Sequence, residues 1–263
     1  MKKKEQRVIY YHDELNDDFA GNNIKTRKIP NNFPYSDNSF LFRVNSWLLR
    51  YLFAIPILWF MNTFVFRPKV KNKKLLKQLK KKGYFIYSNH VLPFDPIILP
   101  IKTHARRKII IVAGPDLFSI NSFATWLVRH FGAIPIPNQD AEMCENYCEC
   151  ISSNIKKGHR VLIFPEAHIW PYYNKIRNFK SASFRYPVSE EAPVVVATTT
   201  FKQRKGNKKP KPIIYLDGPF YPDKSLSTRD QIKELRDKVY ETMKWRAGQE
   251  DNFEYIKYIK KED

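Results

Sequence analysis

Tyr84-Phe85-Ile86-Tyr87-Ser88-Asn89-His90-Val91-Leu92-Pro93-Phe94-Asp95-Pro96 is the stretch that decides the reading of this 263-residue chain. Its first four residues have the β-branched and aromatic makeup of a buried strand, with Gly83 before them and Ser88-Asn89 after. His90 therefore falls in the turn where the strand ends. Pro93 and Pro96 keep the following residues out of regular helix, and Asp95 lies where a helix beginning at Pro96 takes its N-cap. Such a turn can fold the Asp95 carboxylate back toward the His90 imidazole. That pair suits deprotonation of an alcohol. A neutral ring accepts the hydroxyl proton while its other nitrogen donates to the carboxylate, which fixes the tautomer and stabilises the imidazolium. The bland alternative is a loop histidine beside a capping aspartate.

A second apolar run, Val161-Leu162-Ile163-Phe164-Pro165-Glu166, also ends in a carboxylate at a turn. Two strand ends would then present His90 and Glu166 at one rim. Between and beyond these runs the pattern alternates. Strands are expected near 84–88, 108–113, 133–136, 160–164, 193–200 and 212–216, and helices near 96–103, 120–130, 139–157 and 227–245. That alternation predicts an α/β fold with a largely parallel sheet flanked by helices. Asp217-Gly218-Pro219 is expected to be a turn, and His104 and His130 to be structural or solvated.

Four ordered segments resemble the glycerolipid acyltransferase family, to which 1-acyl-glycerol-3-phosphate acyltransferases belong. Asn89-His90 with Asp95 is similar to its N-H-x4-D block, and Phe164-Pro165-Glu166 to the start of its F-P-E-G-T-R block. Phe179-Lys180-Ser181-Ala182-Ser183-Phe184 resembles the F-K-x-G-A-F continuation. Gly132-Ala133-Ile134-Pro135-Ile136 and Ala192-Pro193-Val194-Val195-Val196 match two further blocks in order. The resemblance runs from about Gly83 to about Thr200. It implies transfer of a fatty acyl group from acyl-CoA or acyl-carrier protein to a lysophospholipid hydroxyl, with 1-acylglycerol-3-phosphate the leading acceptor. His90 would be the base and Asp95 its orienting partner; Asn89 or a backbone N–H would stabilise the oxyanion. No metal or redox cofactor is called for. Another lyso-lipid or a glycolipid is the alternative acceptor.

The chain departs from that pattern at two places. Asn138 stands where the family places a phosphate-binding arginine, and Ala167-His168-Ile169 replaces Gly-Thr-Arg. An amide donates a hydrogen bond without neutralising a phosphate. Lys175, Arg177 and Lys180 are candidate replacements, with His168 a further polar contact. Glu166 either positions the acceptor or a phosphate-binding cation, or caps a helix.

The formal charge of +20 and a pI near 9.7 call for an anionic partner. A non-catalytic basic module that binds membrane or nucleic acid is therefore the rival of another class. Residues 47–66, WLLRYLFAIPILWFMNTFVF, favour lipid, and no nucleic-acid partner is expected. Arg50, Pro56 and Asn62 make that run a poor simple span, so an interfacial or half-inserted helical segment kinked at Pro56 is expected. Residues 67–82 carry nine basic side chains and no acidic one. As a helix with a narrow leucine stripe they would lie on anionic headgroups and place the enzyme on the cytoplasmic face, peripheral or monotopic. Residues 1–46 read as a polar tail, 47–82 as the membrane-associated segment and 83–263 as the acyltransferase domain. Cys144, Cys148 and Cys150 sit in one expected helix without a zinc-spaced partner set and read as reduced thiols.

Overall fold

The computed structural model describes residues 6–21, 24–37, 39–104, 107–205 and 209–261. Its centre is a seven-stranded sheet built from β2 (Lys69–Lys71), β3 (Tyr84–Ser88), β4 (Ile109–Ala113), β5 (Ala133–Pro135), β6 (Arg160–Ile163), β7 (Val194–Lys202) and β8 (Lys211–Phe220). The order across the sheet is β2-β8-β7-β3-β6-β4-β5, and only the β7–β8 pair is antiparallel. The helices are α1 (Phe40–Val65), α2 (Asp95–His104), α3 (Ser122–His130), α4 (Ala141–Lys156), α5 (Arg185–Ser189) and α6 (Thr228–Ala247).

All five residues of β3 are buried, as a strand covered on both faces must be. Alternate side chains divide between two cores. Phe85, Tyr87, Val161 and Ile163 pack with Met143, Tyr147 and Ile151 of α4 and with Leu235, Val239 and Met243 of α6. Tyr84, Ile86 and Leu162 face the other way, onto Ile98 and Leu99 of α2. Gly83 admits this packing at the base of β3, because a Cβ there would lie 2.1 Å from the Ile155 carbonyl oxygen.

Four expectations need correction. The N-terminal segment is no irregular tail: β1 (Arg7–Tyr11) pairs in parallel with β9 (Ile256–Lys260), and Phe19, Ile29 and Tyr35 join the cores. Both strands lie largely open to solvent, with Val8 and Tyr10 of β1 exposed and only Ile256 of β9 buried, so neither has the two-sided burial of the central strands. Residues 67–82 are not one helix. Lys69–Lys71 adds a strand to β8, and Lys73–Leu79 forms a 3₁₀ stretch that buries Leu76 and Leu79 while its lysines face solvent. The leucine stripe thus anchors the segment to the core. Asp217-Gly218-Pro219 does not turn the chain; it lies within β8, where the register against β7 shifts between Val194 and Val196. Gly218, at φ +100°, supplies the left-handed backbone of that irregularity.

The apolar helix begins at Phe40 rather than Trp47, with the Ser39 hydroxyl accepting from the Phe42 N–H at 3.3 Å. It continues through Pro56. Wider π-type turns over Leu49–Ala54 precede the proline, whose ring removes an N–H and crowds the carbonyl one turn back. Its 26 residues rise about 39 Å at about 1.5 Å each, long enough and apolar enough to cross a bilayer. It is not a core helix: Trp47, Leu52, Phe53, Ile57, Trp59 and Phe60 are all exposed.

Candidate active site

β3 and β6 are hydrogen-bonded neighbours in parallel register, with Tyr87 opposite Ile163. Counting three residues onward along both chains brings His90 opposite Glu166. Their contact follows that register: the His90 backbone N–H donates to Glu166 Oε2 at 3.1 Å. The two strand ends therefore form one rim at the carboxyl edge of the sheet, where open α/β folds place their ligands.

His90 Nδ1 lies 3.5 Å from Asp95 Oδ2, a long contact of the kind that tightens when substrate closes a site. The ring is stacked on Phe164, with centroids 4.2 Å apart. His90 is 8% exposed and Asp95 1%. Among the described residues Nε2 has no protein hydrogen bond, which leaves it to act on a ligand. Asp95 is itself held: its Oδ2 accepts the N–H groups of Val91 at 2.9 Å and Leu92 at 2.8 Å. It therefore caps the preceding turn rather than a helix starting at Pro96, and α2 begins at Asp95 itself. With one carboxylate oxygen receiving two amides, the side chain cannot rotate away from His90 without abandoning both.

Asn89, proposed as an oxyanion donor, is committed elsewhere. Its Oδ1 accepts the Thr199 N–H at 2.8 Å and its Nδ2 donates to the Thr199 carbonyl at 3.0 Å. The amide stitches the end of β3 to β7. The N–H groups of His90, Val91 and Leu92 are likewise taken by carboxylates.

Glu166 does not cap a helix. Besides the His90 amide, its Oε1 accepts the Arg177 N–H at 2.9 Å, and the Arg177 guanidinium approaches to 3.6 Å. Burial raises the Glu166 pKa, and the Arg177 charge and the two amides pull it back in part. Arg177 is buried too. Its guanidinium lies 4.9 Å from the Trp170 ring centre and donates to the carbonyls of Glu14 and His168. It is thus a strut beneath the rim and not a free phosphate ligand. Lys175 and Lys180 are exposed. His168 lies 3.8 Å from Asp18, at the edge of the rim. Asn138 is engaged with Asn31 at 3.1 Å and with the Asp140 N–H at 2.8 Å.

Two supports escaped the sequence reading. Phe164, on which the His90 ring is stacked, was visible only as the first residue of a Phe-Pro-Glu run. The loop behind the rim is held by the chain's outer segments. Trp170 donates from Nε1 to the Asp17 carbonyl at 2.8 Å and stacks on Tyr258, whose hydroxyl donates to the Pro171 carbonyl at 2.9 Å. The loop is tied back to the His90–Asp95 turn by the Trp170 and Tyr172 N–H groups, which donate to the carbonyls of His90 and Val91. His130 is structural, its Nδ1 2.8 Å from the Trp126 carbonyl; the side chain of His104 lies outside the described residues.

No curated protein matches this sequence. Among solved structures, the fold is similar to that of the 1-acyl-sn-glycerophosphate (LPA) acyltransferase PlsC from Thermotoga maritima. The TM-score is 0.51 at 16% identity, over 79% of this chain and 94% of that one. The family model described as Acyltransferase matches residues 67–200, a span that takes in both strand ends and every residue of the rim. By that match over half of its length, the chain belongs to the acyltransferase family.

Proposed function

We propose that the enzyme transfers a fatty acyl group from an acyl thioester to a lysophospholipid hydroxyl at a membrane surface, with 1-acylglycerol-3-phosphate the leading acceptor. The observation that carries this reading is His90 set between Phe164 and a doubly anchored Asp95, with Nε2 free of a hydrogen bond among the described residues. The neutral ring carries its proton on Nδ1, toward Asp95. Nε2 takes the acceptor's hydroxyl proton as the oxygen attacks the thioester carbonyl carbon. The C–S bond then breaks, and the departing sulfur takes the proton back from the imidazolium. The products are the acylated lipid and the free thiol of CoA or acyl-carrier protein. Oxyanion stabilisation falls to donors other than Asn89 and the 90–92 amides, all of which are occupied.

Of the cations offered by the sequence for phosphate, Lys175 and Lys180 remain exposed to a ligand. A second reading, an acceptor with another head group, is favoured by the tethering of Asn138 to Asn31 and Asp140 and by the inward commitment of Arg177. The exposed apolar side of α1 and the outward lysines of 69–82 support seating on the cytoplasmic face of an anionic membrane.

The test is acyl transfer on liposomes, crossing acyl-CoA and acyl-carrier protein with lysophosphatidic acid, other lysophospholipids and a glycolipid. Turnover with lysophosphatidic acid that disappears in His90→Ala is expected. Undiminished turnover in His90→Ala removes the assigned base, and turnover with uncharged acceptors alone removes the phosphate.

A further inference from the structure

Of the 26 residues in α1, one is fully buried, and it is the polar Asn62 at 1% exposure. Both of its amide atoms, Oδ1 and Nδ2, lack a hydrogen-bond partner among the described residues. A buried amide without partners is costly, and native chains keep one only where something else satisfies it. The local backbone is unusual at the same place. Met61–Val65 forms a wide π-type turn, a feature that recurs at functional sites in helices.

Its position connects it to the catalytic turn. The Met61–Val65 turn packs against α2, the helix that starts at Asp95. Phe66, four residues on and so on the same helical face, packs against Phe94 in a tilted arrangement with ring centres 4.7 Å apart. Phe94 immediately precedes Asp95. Asn62 is thus one turn of helix from a ring that touches the His90–Asp95 segment, between an exposed apolar helix and the helix that carries the carboxylate.

We propose that Asn62 is a substrate-binding residue, whose amide hydrogen-bonds a carbonyl or amide group beside the fatty chain of a ligand lodged between α1 and α2. This rests on the acyltransferase reading of the His90 site. An amide both donates and accepts, which fits the ester of a lysophospholipid and the pantetheine amides of an acyl thioester alike. The exposed apolar side chains of α1 and the nearby Phe66–Phe94 pair suit the hydrocarbon chain that either ligand carries.

The test is equilibrium binding by the full chain in detergent micelles, for wild type and Asn62→Leu. The two probes are 1-oleoyl lysophosphatidic acid and a non-reactive thioether analogue of palmitoyl-CoA. Asn62→Leu is expected to weaken one of them by roughly 5- to 50-fold, the loss of one or two buried hydrogen bonds, and the probe affected identifies the source. Its melting temperature is expected to hold or rise, since an orphaned amide is gone. A higher melting temperature with both affinities unchanged overturns the proposal, because a merely structural asparagine gives that result. Should Asn62→Leu melt lower than wild type, the same two titrations on Asn62→Ala decide. Because binding is read without turnover, Asn62-dependent affinity in a protein that transfers no acyl group would sustain this inference and overturn the catalytic reading.

Discussion

Replacing Arg177 with methionine tests how the rim is supported. The guanidinium, 1% exposed, faces Glu166 at 3.6 Å, covers the Trp170 ring at 4.9 Å and donates to two carbonyls. Methionine fills much of the volume and removes the charge. Breaking a buried pair by deleting one partner costs about 3–5 kcal/mol, because the surviving charge stays desolvated. The survivor here is Glu166, whose pKa burial already raises against the opposing pull of Arg177. Without that pull the carboxyl titrates higher still. A carboxyl whose folded pKa lies above its unfolded value contributes its full stability below the unfolded pKa and loses it as pH rises through the folded one. The stability deficit of Arg177→Met relative to wild type should therefore be larger at pH 8 than at pH 5. Urea unfolding at the two pH values measures it. Adding Glu166→Gln to Arg177→Met should recover part of the pH 8 loss, since the unpaired charge is then absent. A deficit under about 1 kcal/mol, equal at both pH values, would refute a supporting role for the pair.

Three other outcomes are expected. His90→Ala should lower kcat by about 100- to 10,000-fold with an unchanged melting temperature, whereas Asp95→Ala should lower both, because Asp95 also holds the Val91 and Leu92 amides; steady-state assays beside thermal melts separate the two. Gly83→Ala forces a Cβ into the Ile155 backbone and should cost about 1–3 kcal/mol in chemical unfolding. Burial, and after it the charges of Lys108, Lys157, Arg50 and Arg107, push the His159 pKa down to about 4. The folded state therefore resists its protonation, so stability is undiminished above pH 6.5 and falls as pH drops toward 4. His159→Gln should flatten that acid slope in a pH series of melts.

What the sequence disclosed, and what it withheld, follows from how each element is stabilised. The central strands declared themselves as continuous apolar runs because both faces of β3, β6 and β7 are covered. The His90–Asp95 and Glu166 turns were legible because they interrupt such runs with polar residues. The outer strands were hidden: Lys69–Lys71 and Arg7–Tyr11 earn their place by pairing with residues far along the chain, which no local window contains. The partners of Asn89 and Arg177 were hidden for the same reason. Residue type announced a donor and a cation, but only the tertiary arrangement of Thr199, Glu166 and Trp170 decides what each one binds.

The pairing of β1 with β9 has a bearing on synthesis in the cell. Tyr258 lies against Trp170 and bonds the Pro171 carbonyl, so the loop behind Glu166 lacks its backing until the segment around Ile256–Lys260 has left the ribosome. The nascent chain can assemble most of its sheet earlier than that, yet the rim gains its backing only once residues far beyond Glu166 in sequence have emerged.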